Sequence, residues 1–348
     1  MQKSKLGFEE SLEKEVVSNR RCVGCAACVV VCPFKCLEYR DGHPRLVKKC
    51  ENCGICPAVC PKYEWSWAKA EEFVFGRKRT ESEEFGVYRR LALAKASDKK
   101  ILERCQDGGV VTALLTHSLQ EGIIKGAALS GVAADRPLYP EPKLATNSEE
   151  VLENAGTRYS YSPNLLALQE GVNQKIGSLA FVGTPCQIHA IRKIQMFPLK
   201  KYSAPIQLVV GLMCTESFTY DGFIEGHLKK NMGLDLNNIV KMNIKGKILV
   251  SMKTGETRTV SLSEAKQYTK EGCSLCGDFT AELADVSVGG LGLSGWTFVI
   301  LRTERGEKIF NDALKRGALK TRTVEEEPFA QNLLLKLSKK KRLNSPRS

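Results

Sequence analysis

Residues 22–33 read CVGCAACVVVCP and residues 50–61 read CENCGICPAVCP, so a run of four cysteines followed by proline occurs twice in a short segment. Both runs have the spacing Cys-x2-Cys-x2-Cys-x3-Cys-Pro, and together they hold eight of the 14 cysteines in the chain. The N-terminal sequence has no apolar stretch typical of a signal peptide, so we expect a cytoplasmic protein in a reducing compartment. In that setting such a density of thiols indicates metal ligation rather than disulfides.

The spacing of each run is typical of bacterial ferredoxins that hold two 4Fe-4S clusters, in which the fourth cysteine of one run binds the cluster of the other. The sequence therefore predicts one cluster on Cys22, Cys25, Cys28 and Cys60 and a second on Cys50, Cys53, Cys56 and Cys32. Zinc is the alternative, since it also accepts four thiolates, but zinc motifs normally pair two short Cys-x2-Cys units. Cys36 lies outside both quartets and is interpreted as a spare buried thiol.

Length and composition limit the classes of protein that this chain can be. The 348 residues are 43% hydrophobic and 26% charged, which excludes wholesale disorder and fibrous architectures and favours two or three globular domains. No apolar run approaches the roughly 18 to 20 residues that a membrane span needs. The net charge of +13 indicates either an ordinary basic surface or an anionic partner. An iron-sulfur protein that binds nucleic acid is a second class, but the chain has no recognised binding motif or aromatic platform, so we expect no nucleic acid partner.

After residue 90 the pattern alternates between strands and helices, which predicts an α/β domain. Strands are predicted over 91–97, 126–133, 178–183 and 206–214, and helices over 110–120, 163–172 and 187–196. Three short strands within 239–262 predict a small antiparallel insertion. The last helix, after Pro328, is expected to place Phe329, Leu333 and Leu337 on one packing or docking face.

Four further cysteines and one glycine pair mark the larger domain. Cys186 and Cys214 follow two predicted strands, and the carboxyl ends of such strands form the ligand-binding edge of an open α/β sheet. Cys273 and Cys276 add a loop pair. A third metal site, two small buried thiols or a redox dithiol are all compatible with this spacing. The Gly108-Gly109 turn precedes a helix and is a candidate phosphate site, while Cys105 receives no assignment.

Six segments resemble those of a known family: QDGGVV (106–111), GTRY (156–159), VGTPCQ (182–187), GLMCTE (211–216), CSLCGD (273–278) and ADVSVG (284–289). With the double cysteine run they resemble the coenzyme F420 hydrogenase/dehydrogenase beta-subunit family over nearly the whole chain. Within that family the chain looks most like the electron-input subunit of reduced coenzyme F420 dehydrogenase.

The resemblance implies three 4Fe-4S clusters, bound FAD and coenzyme F420 as substrate. It implies that the third cluster is held by Cys186, Cys214, Cys273 and Cys276. It also implies cofactor contacts at Gln106, Asp107, Gly108, Gly109, Val110, Gly156, Thr157, Arg158, Tyr159, Gly183, Thr184 and Pro185. We expect Arg192 and Lys193 to attract the anionic tail of the coenzyme.

The changes of composition and periodicity along the chain predict a domain plan, and the resemblance implies what its parts bind and which reaction they carry out. The plan is an α+β ferredoxin-like two-cluster domain (1–62), a linker (63–90), an α/β domain for FAD and coenzyme F420 (91–324) and a basic helix and tail (325–348). Hydride would pass from reduced coenzyme F420 to FAD, and single electrons through the clusters to a membrane complex resembling respiratory complex I, on whose cytoplasmic face the chain would be peripheral. The alternatives are a beta subunit of a coenzyme F420-reducing hydrogenase and an oxidase module serving a soluble reductase or a soluble ferredoxin.

Overall fold

The computed structural model of the chain describes residues 6–197 and 199–343. The strands are β1 (Leu37–Arg40), β2 (His43–Leu46), β3 (Arg90–Ala96), β4 (Gly126–Val132), β5 (Pro140–Ala145), β6 (Leu179–Gly183), β7 (Ile206–Leu212), β8 (Ile239–Ile244), β9 (Ile248–Met252), β10 (Thr257–Val260), β11 (Val286–Gly289), β12 (Thr297–Leu301) and β13 (Leu319–Arg322).

The α-helices are α1 (Ala27–Val30), α2 (Ile55–Val59), α3 (Trp67–Phe75), α4 (Lys99–Arg104), α5 (Val110–Gln120), α6 (Ser148–Glu153), α7 (Leu165–Asn173), α8 (Pro185–Met196), α9 (Lys200–Ser203), α10 (Leu262–Lys266), α11 (Glu304–Lys315) and α12 (Pro328–Leu343). Two segments are π-helical (Glu9–Val17 and Tyr220–Asn231), and three are short 3-10 turns (Leu236–Asn238, Glu271–Cys273 and Val324–Glu326). No helix in the described part of the chain has the length and apolar character that a membrane crossing needs.

An eight-stranded mixed sheet forms the centre of the molecule, in the order β13-β3-β12-β11-β7-β6-β4-β5. The strands β4, β6, β7 and β11 are parallel, and β5 closes one edge antiparallel to β4. β12 is antiparallel to both β11 and β3, so β3 runs in the same direction as the four parallel strands. Five strands therefore end at one edge of the sheet, the edge at which ligands bind in open α/β folds.

Each face of the sheet has its own apolar layer, because successive side chains of a strand point to opposite faces. In β6, Ala180 and Val182 pack in the layer that contains α5 and α11, whereas Leu179 and Phe181 pack in the layer that contains α7 and α8. The second layer also includes Val30 of α1. The cysteine-rich segment is therefore packed onto the α7 and α8 face.

Residues 63–90, expected to be a linker, form a structured connection. They contain α3, whose Ala70 is fully buried, and the rings of Trp65 and Trp67 lie 4.6 and 4.7 Å from the ring of His189 in α8. The fully buried Arg302 donates to the carbonyl oxygens of Phe85 and Val87. This connection is part of the core because apolar packing and buried hydrogen bonds fix both of its ends.

The predicted antiparallel insertion is present as a three-stranded sheet in the order β10-β9-β8. The expected face of the last helix is wrong in part. Phe329 is 67% exposed, while Ala330, Leu334, Ser338 and Lys341 form the buried stripe of α12. Of the basic residues in the expected tail, Arg347 lies outside the described residues, and the others belong to α12.

Candidate cofactor sites

The first two cysteine runs repeat in backbone geometry as well as in spacing. Gly24 and Asn52, each two residues after the first cysteine of its run, both have positive φ values of 69° and 48°. Ala26 and Gly54, each four residues after that cysteine, have φ values of 65° and 75°. Residues in the left-handed conformation at the second and fourth positions after the first cysteine curve the backbone into a concave loop, of the kind that surrounds iron-sulfur clusters. The short helices α1 and α2 begin directly after these loops.

The first predicted quartet lies around one small cavity. Cys22, Cys25, Cys28 and Cys60 all line a cavity of about 20 Å³, together with apolar side chains. Burial raises the pKa of Cys25 and Cys28, and the neighbouring thiols of the quartet raise both values further. Burial also raises the pKa of Cys60 to about 11. The raised pKa values mean that these thiols do not ionise readily without a cation beside them. Such a group is suited to a cationic iron-sulfur core, which would stabilise all four thiolates.

The second predicted quartet is assembled in the same way at a more exposed position. Burial raises the pKa of Cys56 to about 12, followed by the effects of Cys50, Cys53 and Cys32. The amide of Phe8 donates to the Cys50 sulfur at 3.4 Å, and the amide of Cys36 donates to the Cys32 sulfur at 3.3 Å. Amide donors of this kind are a means by which proteins tune cluster potentials. Cys36, expected to be spare, thus supports a predicted ligand.

The third group of cysteines comes together at the carboxyl edge of the sheet. Cys186 is the second residue of α8, Cys214 follows β7, and Cys273 and Cys276 lie on the loop after α10. Thr184 Oγ1 lies 3.3 Å and Tyr161 Oη 3.5 Å from the Cys186 sulfur. Burial raises the pKa of each of these four thiols.

Cys186, Cys214, Cys273 and Cys276 are close enough to raise one another's pKa. Within the described residues, no group of three or more His, Cys, Asp or Glu side chains is arranged so that it could hold a metal ion. The mutual effects on pKa nevertheless indicate that the four predicted ligands of this quartet lie in one region, as do those of the other two quartets.

Three lysines from distant parts of the chain surround the third quartet. Lys341 of α12 is 8% exposed, and its Nζ contacts the carbonyl oxygens of Thr215 and, at 3.3 Å, of Cys273. Its charge opposes the burial that raises the pKa of Cys214, Cys273 and Cys276. Lys62 donates to the Leu275 carbonyl at 3.1 Å, and Lys270 donates to that of Gly42 at 3.3 Å. These lysines were not predicted, because the carbonyl oxygens that accept from them are distant in the sequence and no local pattern indicates such contacts.

A buried His-Asp pair holds the two halves of the third quartet together. His189 Nε2 lies 2.8 Å from Asp278 Oδ2, which joins α8, the helix of Cys186, to the loop of Cys276. Trp65 stacks on the His189 ring with an interplanar angle of 16°. The segment that follows the first quartet is thereby fixed against the third.

The main cavity of the described chain lies at the carboxyl edge of the sheet and has a volume of about 390 Å³. Its walls come from segments near the ends of β3, β4, β6, β7 and β11, together with β8 and α12. The principal wall segments are residues 105–107, 109–112, 154–162, 182–184, 212–217 and 288–293. Cys214 is part of this wall, so the cavity reaches the third quartet directly.

Most of the cofactor contacts implied by the family resemblance line this cavity. They are Gln106, Asp107, Gly109, Val110, Gly156, Thr157, Arg158, Tyr159, Gly183 and Thr184. Gly108 and Pro185 do not line the cavity. Gly108 is buried behind it and donates to Thr297 Oγ1 at 3.0 Å, and Pro185 is the buried first residue of α8.

Polar groups of the wall hold its shape. Gln106 Nε2 donates to the Met242 carbonyl at 2.9 Å, which ties the wall to β8. The Arg158 guanidinium donates to the carbonyl oxygens of Gly131, Asn154 and Ala155. Burial raises the pKa of Asp107 against the nearby lysine charges. The helix α5 begins beside the wall, and the first amides of a helix have no intrahelical partner and favour anions.

The expectation that Arg192 and Lys193 bind an anionic tail is wrong. Arg192 is 6% exposed, donates to Asp285 Oδ1 at 2.9 Å and donates to the Leu283 carbonyl at 2.7 Å. Lys193 Nζ donates to the carbonyl oxygens of Cys60 at 2.9 Å and Tyr63 at 2.6 Å. Both charges are therefore used inside the protein.

Further wall residues were not predicted. The glycine-rich segment 289–292 follows β11, and its position after a strand could have indicated a ligand contact. The cavity is also lined by Asn243 and Ile244 of β8, by Lys245 directly after this strand, and by Leu333 and Leu337 of α12. These contacts depend on how the insertion and the last helix fold back over the sheet, which no local sequence signal reveals.

Comparison with known proteins agrees with this arrangement. Two family models carry the description coenzyme F420 hydrogenase/dehydrogenase, beta subunit; the model of its N-terminal part matches residues 91–169, and the model of its C-terminal part matches residues 176–327. The beta subunit of coenzyme F420 hydrogenase from Methanothermobacter thermautotrophicus is 39% identical over 262 residues, which is 74% of this chain and 92% of that protein. The F subunit of F(420)H(2) dehydrogenase from Methanosarcina mazei is 34% identical over 312 residues, which is 85% of this chain and 83% of that protein.

A solved structure shares the architecture. A chain of the F420-reducing NiFe hydrogenase complex from Methanosarcina barkeri matches with a TM-score of 0.73 and 34% identity, over 76% of this chain and 92% of that chain. The prediction of a mixed α/β fold is therefore confirmed.

Proposed function

Because this chain belongs to the coenzyme F420 hydrogenase/dehydrogenase beta-subunit family, we propose that it is an oxidoreductase that oxidises reduced coenzyme F420 and passes the electrons singly to a partner protein. The observation that carries this proposal is the direct contact between the main cavity and the third cysteine quartet. Cys214 lines the cavity, and Tyr161 and Thr184 both line it and contact the Cys186 sulfur.

The cavity residues fit a flavin dinucleotide. Glycines at Gly109 and Gly290 let the backbone approach a ligand closely, and α5 begins at the wall with amides suited to a phosphate. A Cβ atom at Gly290 would collide with the Asp107 carboxylate, so a larger residue at this position would have to displace that carboxylate. We propose that Gln106, Asp107, Gly109 and Val110, together with Gly156 to Tyr159 and Gly183 to Thr184, hold FAD.

When bound, FAD exchanges electrons in pairs with a hydride donor and singly with iron-sulfur clusters, so it joins two-electron to one-electron chemistry. The chain itself would bind and orient the reactants. Hydride transfer needs no side-chain acid or base, so we assign none. The insertion strand β8 and the helix α12 cover the cavity from two sides and would exclude water from the reacting rings.

We propose that each of the three quartets holds a 4Fe-4S cluster and that the clusters stand in series from the cavity outward. Burial and the neighbouring Cys60 are the largest causes of the raised pKa of Cys25. Cys186 of the third quartet also raises it, so the first and third quartets are neighbours. The pKa of Cys28 is raised mainly by burial and by the other thiols of the first quartet, and to a smaller extent by Cys56 of the second quartet, so these two quartets are also neighbours. The order cavity, third quartet, first quartet, second quartet provides a path of single-electron centres.

The candidate functions differ in the protein that accepts the electrons. We propose that the acceptor is a membrane complex resembling respiratory complex I; the similarity to the F subunit of F(420)H(2) dehydrogenase over 85% of this chain supports this proposal. A beta subunit of a coenzyme F420-reducing hydrogenase is the second candidate, which the similarity to a chain of that hydrogenase complex favours.

The test is an anaerobic spectrum of the chain, reconstituted with iron, sulfide and FAD, before and after addition of reduced coenzyme F420. We expect the flavin band and the broad cluster absorbance to bleach while oxidised coenzyme F420 appears. A Cys214→Ser variant should still bleach the flavin band but should slow bleaching of the clusters. If neither band changes although flavin and iron are present in full, the assignment of the electron donor is wrong.

A further inference from the structure

A surface beside the second quartet combines exposed apolar and basic side chains. Phe34 is 46% exposed and Val47 is 42% exposed, which is unusual for large hydrophobic residues of the described chain. Lys35, Lys48 and Lys49 next to them are also exposed. We call Phe34, Lys35, Val47, Lys48 and Lys49 the exit surface.

Cys36 joins the two segments of the exit surface to each other and to the second quartet. Its carbonyl oxygen accepts from the Val47 amide at 2.9 Å, and its sulfur donates to the Lys49 carbonyl at 3.2 Å. Its amide donates to the Cys32 sulfur at 3.3 Å. The exposed side chains on both segments are therefore fixed close to a predicted cluster ligand.

The second quartet is also the more exposed of the two N-terminal quartets. Cys32, Cys50 and Cys53 are half-buried, whereas Cys25, Cys28 and Cys60 are buried. The second quartet stands at the far end of the series that begins at the cavity, so an electron would leave the protein from it. A partner that docks on the exit surface would bring its own redox centre close to this point.

The charge of the exit surface points to the chemistry of the partner. The three lysines form no ion pair within the described part of the chain. The acids nearest to them in sequence are the exposed Glu38 and Glu51, and Glu38 is paired with Arg40. Positive charge around an apolar centre complements a surface on which carboxylates surround an apolar patch, and such complementarity accelerates encounter and fixes orientation.

We propose that the exit surface docks the electron-accepting protein, and that this protein presents an acidic face next to a one-electron centre. This inference rests on the proposed function for the direction of electron flow. Lys35, Lys48 and Lys49 steer the acidic partner, while Phe34 and Val47 form the desolvated contact above the second quartet.

The experiment compares two variants with the same loss of charge. The first is Lys35→Glu/Lys48→Glu/Lys49→Glu on the exit surface. The control is Lys125→Glu/Lys315→Glu/Lys320→Glu, three exposed lysines on the part of the chain that carries the large sheet. The reconstituted protein is reduced with dithionite, freed of excess reductant and mixed in a stopped-flow instrument with oxidised acidic flavodoxin, which serves as the probe. A neutral quinone such as duroquinone is the acceptor that needs no docking.

We expect the exit-surface variant to reduce flavodoxin at least about tenfold more slowly at low salt and to lose the salt dependence of the rate, because steering by charge is screened by ions. The control variant should behave as the unchanged protein, and both variants should reduce duroquinone at the unchanged rate. A Phe34→Ser variant should slow flavodoxin reduction while keeping its salt dependence, and it provides a test if the triple variant loses iron.

Equal flavodoxin rates in the exit-surface and control variants would overturn the proposal, as would an equal slowing of duroquinone reduction. Sedimentation of the unchanged protein provides a third test. If the exit-surface substitutions dissociate a dimer, the occupant is a second copy of the chain and the proposal is wrong. Reduction with dithionite does not involve coenzyme F420, so the two proposals can fail separately. If the flavodoxin rate depends on the lysines but reduced coenzyme F420 does not donate electrons to the protein, only the proposed function is refuted.

Discussion

Replacing Lys341 by methionine should lower the midpoint potential of the cluster that we propose at the third quartet. Lys341 is buried on α12, and its ammonium contacts the carbonyl oxygen of Thr215 and lies 3.3 Å from that of Cys273. At an effective dielectric constant near 20, a positive charge on the order of 8 Å from an added electron stabilises it by about 2 kcal/mol, or about 90 mV for a one-electron couple. Methionine keeps the length of the side chain, so the change removes mainly the charge.

The assay is a redox titration of the reconstituted protein followed by electron paramagnetic resonance. Lys340→Met is the matched control, because Lys340 is the adjacent residue on the same helix and is exposed. We expect one of the three cluster signals to shift to lower potential in Lys341→Met and no signal to shift comparably in Lys340→Met, since water and ions screen an exposed charge. Unchanged potentials in Lys341→Met, or the same shift in both variants, would refute this reasoning.

Three further predictions concern ligands, cavity and core. Cys60→Ser should remove the iron of one cluster with loss of its resonance signal, whereas Cys36→Ser should retain full iron; equal iron contents in the two variants would contradict the assignment of the first quartet. Gly108→Ala should release FAD, because its Cβ would lie 2.6 Å from the Ala94 carbonyl oxygen, whereas Gly177→Ala meets no atom within 4 Å and should keep FAD, as measured by absorbance after gel filtration. Arg192→Met should lower the free energy of unfolding by about 3 to 5 kcal/mol in urea titrations, because it leaves a buried carboxylate without its partner, and should not change the Michaelis constant for coenzyme F420.

Local patterns predicted the interior of the fold better than its edges. The buried parallel strands β4, β6 and β7 were predicted because continuous apolar runs are typical of strands covered on both faces. The edge strand β5 was missed because its sequence, PEPKLA, contains two prolines, and proline is tolerated only where one side of a strand has no neighbour. The four-residue strand β13 was missed because it has no apolar alternation and depends on pairing with β3.

The candidate site divides in the same way between local and tertiary signals. The spacing of the cysteine runs predicted which thiols share a region, since a repeated loop geometry fixes where each sulfur points. The lysine of α12 near the third quartet could not be predicted, because its partners are carbonyl oxygens far away in the sequence. Arg192 was misinterpreted for the same reason, as its carboxylate partner Asp285 is 93 residues away.

The helix α8 explains why a cysteine-rich segment and an α/β sheet work as one unit. Cys186 lies at its start, beside the cavity, and Lys193 two turns later donates to the carbonyl oxygens of Cys60 and Tyr63. One rigid element thus holds a predicted ligand of the third quartet and fixes the backbone of a predicted ligand of the first. Burial lowers the pKa of Lys193, but the carbonyl oxygens that accept from its ammonium favour the charged form. The separation between these two quartets is therefore set by helix geometry and buried hydrogen bonds rather than by a flexible linker, as single-electron transfer over a fixed distance requires.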